Sequence, residues 1–234
     1  MNKKLINKRN KTALTANVIG ATGLVGKQLV SQLLDDAAFD KVRIFVRRDT
    51  GIVHPKLEQH IVDYKNSATW ENNLTGDVLF SALGTTLKKA GSKEKQYEID
   101  VSYNLNFAKK AKQNGISSYI LVSSVGADAR SKLFYSRIKG ELDEAVLNLG
   151  FRKIVILRPS ALMGNREETR WMEDLSIPFT KFITRFIMKK YRPIAAVTVA
   201  KAMINASLNS SVQKKIWTAD EIFPLADEES ASDV

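Results

Sequence analysis

Along this chain, short apolar runs alternate with segments of helical periodicity. LTANVIG (residues 14–20) reads as a first strand. LVGKQLVSQLLDD (24–36) follows, with Leu24, Val25, Leu29, Leu33 and Leu34 near the 3.6-residue spacing of an amphipathic helix. KVRIFV (41–46), QHIVD (59–63), DVLFSAL (77–83), SYILVSS (118–124) and KIVILRP (153–159) read as further strands, and KKIWTA (214–219) as a last one. The unbroken apolar stretch in DVLFSAL suits a strand buried on both faces of a parallel sheet. Helical patterns lie between them: 94–115, closed by Gly115; a run through Tyr135 that ends at Gly150; and 196–208. Strand then helix, repeated six times, predicts an α/β fold, a parallel sheet covered on both faces. Right-handed crossovers make it doubly wound, a Rossmann-type arrangement.

No repeat or low-complexity linker interrupts the pattern. One domain is therefore expected over residues 12–219, with a small substrate-covering part at about 160–195, where the periodicity loosens after Pro159. Residues 1–11 hold five positive charges and no acid, and are expected to form a basic mobile tail. Residues 220–234 hold six acids and no base, and are expected to form an acidic tail.

Composition narrows the chemistry. At 234 residues and 44% apolar, the chain can bury a full core without disulfides. It has no Cys, which excludes a disulfide framework, a thiolate zinc site and a Cys nucleophile. With only His54 and His60, read as loop or strand-edge residues, no metal site is expected. No apolar run approaches the ~20 residues of a membrane span, so no integral membrane segment is expected. The N-terminal start is basic, but the apolar part after it is short and runs straight into glycines, unlike a signal peptide. A reducing cytoplasm fits the absence of Cys, and a cytoplasmic location is the expectation. The net charge of +11 favours anionic ligands. Zinc-finger, RNP-type and recognition-helix patterns are missing, so no nucleic-acid partner is expected.

The glycines explain one anion. VIGATGLVGKQL sets Gly20, Gly23 and Gly26 between the first strand and the first helix. A turn there needs residues without Cβ, and the backbone must approach a pyrophosphate closely. The first helical turn then offers free N–H groups and the positive end of the helix dipole. Gly20, Thr22, Gly23, Leu24, Val25 and Gly26 are the candidate phosphate-binding residues. A Gly-rich turn without a ligand is the plainer alternative. Where an NAD-binding strand would end in an acid for the ribose 2′-OH, this chain has Arg47 and Arg48, followed by Asp49. A guanidinium suits a 2′-phosphate by charge and by its planar fork of donors. NADP(H) is the expected cofactor, Arg47 the better candidate, and NAD(H) a second option. Surface arginines that happen to follow a strand are the alternative. Asp63 ends the third strand, where it or its neighbours can meet adenine, and Ala82, Leu83 and Gly84 follow the fourth. All lie at carboxyl ends of strands, where open α/β sheets bind ligands.

In KLFYSRIKGELDEAV (132–146), Tyr135 and Lys139 are four apart and share a helix face. With six Tyr and 24 Lys in the chain, this spacing alone carries little weight. The surrounding words carry more: GATGLVG, SALGTTLKKAG (81–91), LVSSVGAD (121–128), LFYSRIKGELD (133–143) and LRPSALMGNREETR (157–170). In this order they resemble the short-chain dehydrogenase/reductases of the extended or atypical branch. The finer similarity is to the Tat-interacting-protein-like oxidoreductases, relatives of the NmrA-like group. The resemblance runs from about residue 14 to 208.

It implies Tyr135 as general acid toward a substrate carbonyl, with Lys139 activating the phenol and holding the nicotinamide ribose. Ser124 or Ser123 would hydrogen-bond the substrate oxygen. Strand pleating points the two serines to opposite faces, and Ser124 is preferred. Pro159, Ser160 and Leu162 would contact the nicotinamide end. Many family members have Asn in the long helix before the fifth strand, where this chain has Asp100. The implied activity is NADP(H)-dependent reduction of a small carbonyl or enone compound. The alternative is an NADP(H)-binding regulator with little or no turnover. The long helices at 94–115 and 133–149 could build a homodimer interface. Finally, IPFTKFITRFIMKKYRPI (177–194) reads as a basic amphipathic helix, a lid or core element that could also take a protein partner. Trp171 and Met172, just before it, could face substrate or core.

Overall fold

The computed structural model describes residues 13–163, 192–210 and 215–228. Seven parallel strands form one sheet: β1 (Leu14–Ile19), β2 (Phe39–Val46), β3 (Leu57–Ile61), β4 (Val78–Ser81), β5 (Ser118–Val122), β6 (Lys153–Arg158) and β9 (Ile216–Thr218). Their spatial order is β3-β2-β1-β4-β5-β6-β9. The order reverses between β1 and β4, which opens a crevice at the carboxyl ends of the strands. This is the doubly wound sheet that the alternating pattern predicts.

Side-chain alternation divides the core into two layers. Ala16 and Val18 of β1, Val42, Ile44 and Val46 of β2, Val78 and Phe80 of β4, and Val155 and Leu157 of β6 face one layer. Ile19, Phe45, Leu79, Tyr119, Leu121, Ile154 and Ile156 face the other. Such runs read as continuously apolar because both faces are covered. The first layer is closed by α1 (Leu24–Asp35) and α6 (Ala196–Leu208). Helix α1 buries Val25, Leu29, Val30, Leu33 and Leu34, one stripe at helical spacing. The second layer is closed by α4 (Asn104–Gln113) and α5 (Phe134–Leu147).

Two expectations need correction. The helix expected over 94–115 is not uniform. Two short helices, α2 (Leu87–Ala90) and α3 (Lys93–Tyr97), lead into a wider π turn over Glu98–Tyr103 before α4. The Asn104 side chain donates to the carbonyls of Ile99 (3.1 Å) and Asp100 (3.0 Å), so a side chain takes over part of the helical ladder. The second correction concerns the C-terminus. The acidic tail expected over 220–234 begins instead as a packed helix, α7 (Ala219–Asp227), burying Ile222, Leu225 and Ala226. Its acids belong to the helix: Thr218 and Glu221 form a capping box, and Asp220 and Glu221 sit at the positive end of the dipole. Asn205 of α6 donates to the carbonyls of Leu225, Ala226 and Glu228 at the other end.

Beyond β6, a short parallel pair joins β7 (Leu162–Met163) to β8 (Ile194–Ala195). The amphipathic segment 177–191, Trp171 and Met172 lie outside the described residues, as do most of the substrate-covering part and the tail at 1–11. No described helix is long and apolar enough to cross a membrane.

Candidate active site

The glycine loop is shaped by contacts that leave no room for side chains. Gly20 has φ +79°, and a Cβ there would lie 2.4 Å from the Ala82 carbonyl and 2.5 Å from the Leu83 nitrogen. A Cβ on Gly26 would lie 2.0 Å from the Gly20 oxygen. These two glycines lock the loop between β4 and α1. Gly23 is the N-cap of α1, and no side chain caps that helix. Thr22 and Gly23 are exposed, Leu24 is half-buried, and Val25 points its side chain into the core, so only its backbone faces the loop. An uncapped helix start beside an exposed Gly turn fits a pyrophosphate.

Two tyrosines that the sequence motifs do not single out support the loop. Tyr64 donates its hydroxyl proton to the Phe45 carbonyl at 2.6 Å, and the Gly20 N–H faces the phenolic oxygen. Burial pushes its phenol up to about 12. Tyr103 stacks on it, ring centroids 5.5 Å apart. Partial burial, with Glu98 and Asp63 adding, pushes Tyr103 up to about 12, and Arg47 opposes this. Arg47 therefore lies within electrostatic reach of both rings.

Arg47 and Arg48 are exposed directly after β2. The acid beside them is engaged elsewhere. Asp49 Oδ1 accepts from the Gly51 N–H (2.9 Å) and Gln59 Nε2 (2.6 Å), bonds that hold its carboxyl below the usual range. One oxygen of the acid that follows β2 is thus already occupied, by its own loop and by β3. Asp63 likewise spends Oδ1 on the Lys65 N–H (2.9 Å).

Lys139 and Tyr135 sit on α5, and the ammonium lies 5.7 Å from the phenol ring centroid. Tyr135 is 39% exposed, while Lys139 is buried. The Lys139 Nζ lies 2.6 Å from Asp100 Oδ1. Burial alone would pull the ammonium down; Asp100 first, then Tyr135 and Asp143, more than reverse this and hold it above its ordinary range. Asp100 Oδ2 accepts from the Thr85 N–H at 3.1 Å. Gly84, before it, covers the pair without a side chain: a Cβ there would lie 2.9 Å from Asp100 Oδ1 and 3.3 Å from Lys139 Nζ. Asn104 donates to the Leu83 carbonyl (3.2 Å) and accepts from the Ser81 hydroxyl, tying the end of β4 to α4.

The two serines separate as the pleat requires. Ser123 follows Tyr119 and Leu121 into the second layer, is buried, and faces Asp143. Burial raises the Asp143 carboxyl, opposed by Ser123, by Arg158 (Nε to Oδ2, 2.8 Å) and by Lys139. Ser124 is half-buried at the end of β5, its hydroxyl on the Val125 carbonyl at 3.3 Å, and can turn to a ligand. Pro159 is buried and its carbonyl accepts from the Val125 N–H (2.9 Å). Ser160 donates to the Arg192 carbonyl, and Leu162 is half-buried in β7.

The loop before α5 is held by a glycine contact. A Cβ on Gly140 would lie 2.1 Å from the Ala129 nitrogen and 2.3 Å from the Asp128 carbonyl carbon. Gly140→Ala is expected to lower stability by about 1–3 kcal/mol, because backbone must move to admit a methyl group. Urea unfolding of both proteins measures this, and an unchanged midpoint would mean that the loop yields freely. Among the described residues no three His, Asp or Glu side chains come together to hold a metal ion.

A family model described as NAD(P)H-binding matches residues 20–185. "Protein FMP52, mitochondrial" of Candida glabrata is 44% identical over 157 residues, spanning 66% of this chain and 66% of that protein. "Protein fmp52, mitochondrial" of Emericella nidulans is 34% identical over 219 residues, 86% of this chain and 94% of that one. Among solved structures, a UDP-N-acetylglucosamine 4-epimerase from Methanobrevibacter ruminantium M1 in complex with UDP-N-acetylmuramic acid shares the fold, with TM-score 0.65 and 18% identity. The match covers 91% of this chain and 80% of that one. A short chain dehydrogenase from Burkholderia cenocepacia J2315 in complex with NADP has TM-score 0.62 and 18% identity, over 88% of this chain and 87% of that one. The names of the curated relatives overturn the cytoplasmic expectation, since they are mitochondrial. The absence of Cys, on which that expectation stood, does not discriminate between compartments.

Proposed function

Because this chain belongs to the NAD(P)H-binding family, we propose that it is an NADP(H)-dependent oxidoreductase that reduces a small carbonyl or enone compound. The observation that supports this reading most is that Gly20 packs on Ala82 and Leu83 after β4 while Gly84, next along, lies against Lys139 and Asp100, so the glycine loop and the helix that carries Tyr135 and Lys139 meet at the carboxyl end of one strand. A nicotinamide dinucleotide, when bound, would supply the hydride for the electrophilic carbon of the substrate. Tyr135 gives its phenolic proton to the oxygen that becomes the alcohol. Ser124 donates a hydrogen bond to the same oxygen and fixes its direction. Lys139 holds the ribose hydroxyls and stabilises the phenolate left behind. Arg47, with Arg48 beside it, would hold the 2′-phosphate, and the Gly20–Gly26 loop would receive the pyrophosphate. Pro159, Ser160 and Leu162 border the nicotinamide end.

Relatives named mitochondrial support a mitochondrial location for this chain too. The acid-free basic stretch at residues 1–11 has the charge bias of a targeting segment. The second reading, a regulator whose partner affinity follows NADP(H) occupancy, is favoured by one observation: the Lys139 charge already has a buried counter-ion in Asp100.

Calorimetric titration with NADPH, NADP⁺, NADH and NAD⁺, followed by NADPH oxidation against a panel of carbonyl and enone compounds, tests both readings. Binding with turnover supports the enzyme. Binding without turnover on any member of the panel supports the regulator, and no binding at all defeats both.

A further inference from the structure

The loop that leaves β2 carries a hydroxyl directly behind the two arginines. In RRDT, Arg47 and Arg48 stand three and two residues before Thr50, and no other Ser or Thr of the chain has arginine at both positions. Cations at these places before a hydroxyl are what a basophilic protein kinase reads, with acidic side chains in its peptide groove. Such a groove takes an extended, irregular segment. Residues 47–56 supply one: they belong to no helix or strand, and they join β2 to β3, the outermost strand of the sheet. Arg47, Arg48, Asp49, Gly51 and Ile52 are exposed, and Val53 is 97% exposed. A Cβ on Gly51 would meet no atom within 4 Å, so the loop stands clear of the body there.

Thr50 is half-buried, and one residue holds it. Its hydroxyl donates to Gln59 Oε1 at 2.5 Å, and its N–H donates to the same oxygen at 3.0 Å. The Gln59 amide donates to Asp49 Oδ1 at 2.6 Å, so one side chain of β3 clasps both loop residues. Rotation of the Thr50 side chain releases the hydroxyl without breaking the sheet ladder. A phosphate on that oxygen removes the proton that Gln59 accepts. It adds a charge of about −1.5 to −2 at pH 7 and three strong acceptor oxygens. Three residues of chain span at most about 11 Å, a distance that an exposed arginine side chain can close. Nearby, Lys41 and Arg43 are already paired with Glu58, while Arg47 and Arg48 take part in no described ion pair. Their guanidinium groups match a phosphate by charge and by paired donors.

We propose that Thr50 is a phosphorylation site and that its phosphate draws Arg47 and Arg48 to itself, so that the modified protein loses affinity for NADP(H) and keeps it for NAD(H). The inference rests on the reading of Arg47 as the residue that would hold the 2′-phosphate. In the modifying step, Thr50 Oγ1 bonds to the γ-phosphorus of a nucleoside triphosphate. The bond from that phosphorus to the β,γ-bridging oxygen breaks, and the nucleoside diphosphate leaves. The hydroxyl proton passes to a base of the kinase. The attached phosphate then competes with the 2′-phosphate of the cofactor for the same guanidinium groups, and repels it. NADH lacks that phosphate and has less to lose. Hydrolysis of the phosphate ester by a phosphatase restores the first state.

Incubation of the full chain with ATP and the catalytic subunit of cAMP-dependent protein kinase, a basophilic enzyme, tests this, with peptide mass spectrometry to map the phosphate. Modified and unmodified protein are then titrated calorimetrically with NADPH and NADH. Phosphate is expected on Thr50. NADPH affinity is expected to fall at least about tenfold, as for loss of one charge-assisted hydrogen bond, while NADH affinity changes less than about threefold. Phosphatase treatment should restore both values. Thr50→Val should bind NADPH like wild type, which assigns the loss to the phosphate rather than to the broken Gln59 contact. No phosphate on Thr50 overturns the proposal. So does phosphorylated protein that binds NADPH as before, or that loses NADPH and NADH alike, and so does a Thr50→Val protein as weak as the phosphorylated one. Unmodified protein that binds neither dinucleotide defeats the oxidoreductase reading, and the switch with it. A shift absent from protein that does prefer NADPH defeats the switch alone.

Discussion

Tyr135→Phe is expected to lower carbonyl reduction by roughly 10²–10⁴-fold, the usual contribution of a positioned general acid, while NADPH affinity stays near that of wild type. The phenol is 39% exposed, so loss of its hydroxyl leaves no buried partner unsatisfied and stability should barely move. Lys139 remains ion-paired to Asp100 in the variant, so its buried charge is not left alone. This separates chemistry from binding. Steady-state rates on the best substrate of the panel, with calorimetric Kd for NADPH, check both halves. Unchanged turnover would remove Tyr135 from the mechanism. Lost NADPH binding in Tyr135→Phe would mean that the hydroxyl serves to hold the cofactor rather than to deliver a proton.

Arg47→Asp is expected to weaken NADPH binding about 100-fold, while NADH binding holds or improves. A charge-assisted hydrogen bond to phosphate contributes about 1.5–3 kcal/mol, and the introduced carboxylate adds repulsion to its loss. The same carboxylate can accept from the 2′- and 3′-hydroxyls of NADH, a role for which Asp49, with one oxygen bound to Gly51 and Gln59, is less available. Because Arg47 is exposed and takes part in no described ion pair, the fold should be unaffected. Titration with the four dinucleotides measures the switch. Equal losses for NADPH and NADH would show that Arg47 serves the adenosine in general. Arg48→Asp, a second variant, should have the smaller effect if Arg47 is the main contact.

Most of the frame was legible because its signals are local. Parallel strands buried on both faces are apolar without a break, as in IVIL of β6. A helix packed on one side repeats near 3.6 residues, as in α1, where Leu29, Leu33 and Leu34 are all buried. The loop was legible because Gly20 and Gly26 must lack Cβ, and the resemblance to short-chain dehydrogenase/reductases drawn from the motif order agrees with the family match and the fold neighbours. Helix α7 was missed although Ile222, Leu225 and Ala226 have helical spacing, since Asp220 and Glu221 read as the start of an acidic tail when they are first-turn residues, Glu221 closing the capping box. The π turn was missed because Asn104 acts on carbonyls four and five residues back, a choice invisible to periodicity.

The sequence by itself determined the parallel sheet, the glycine loop, the two arginines after β2 and the helix face shared by Tyr135 and Lys139. Each of these follows from residues within about one or two turns or one strand of each other, whose geometry the backbone periods dictate. Tertiary structure alone decided the partners. Asp100 meets Lys139 across a long stretch of chain; Ser123 turns inward to Asp143 and leaves Ser124 half-buried on the other side of the strand end; Gly140 receives the 128–129 backbone; and Tyr64 reaches the Gly20 turn. These pairings depend on how α4 and α5 pack on the sheet, and a buried charge takes whatever counter-ion that packing brings within reach.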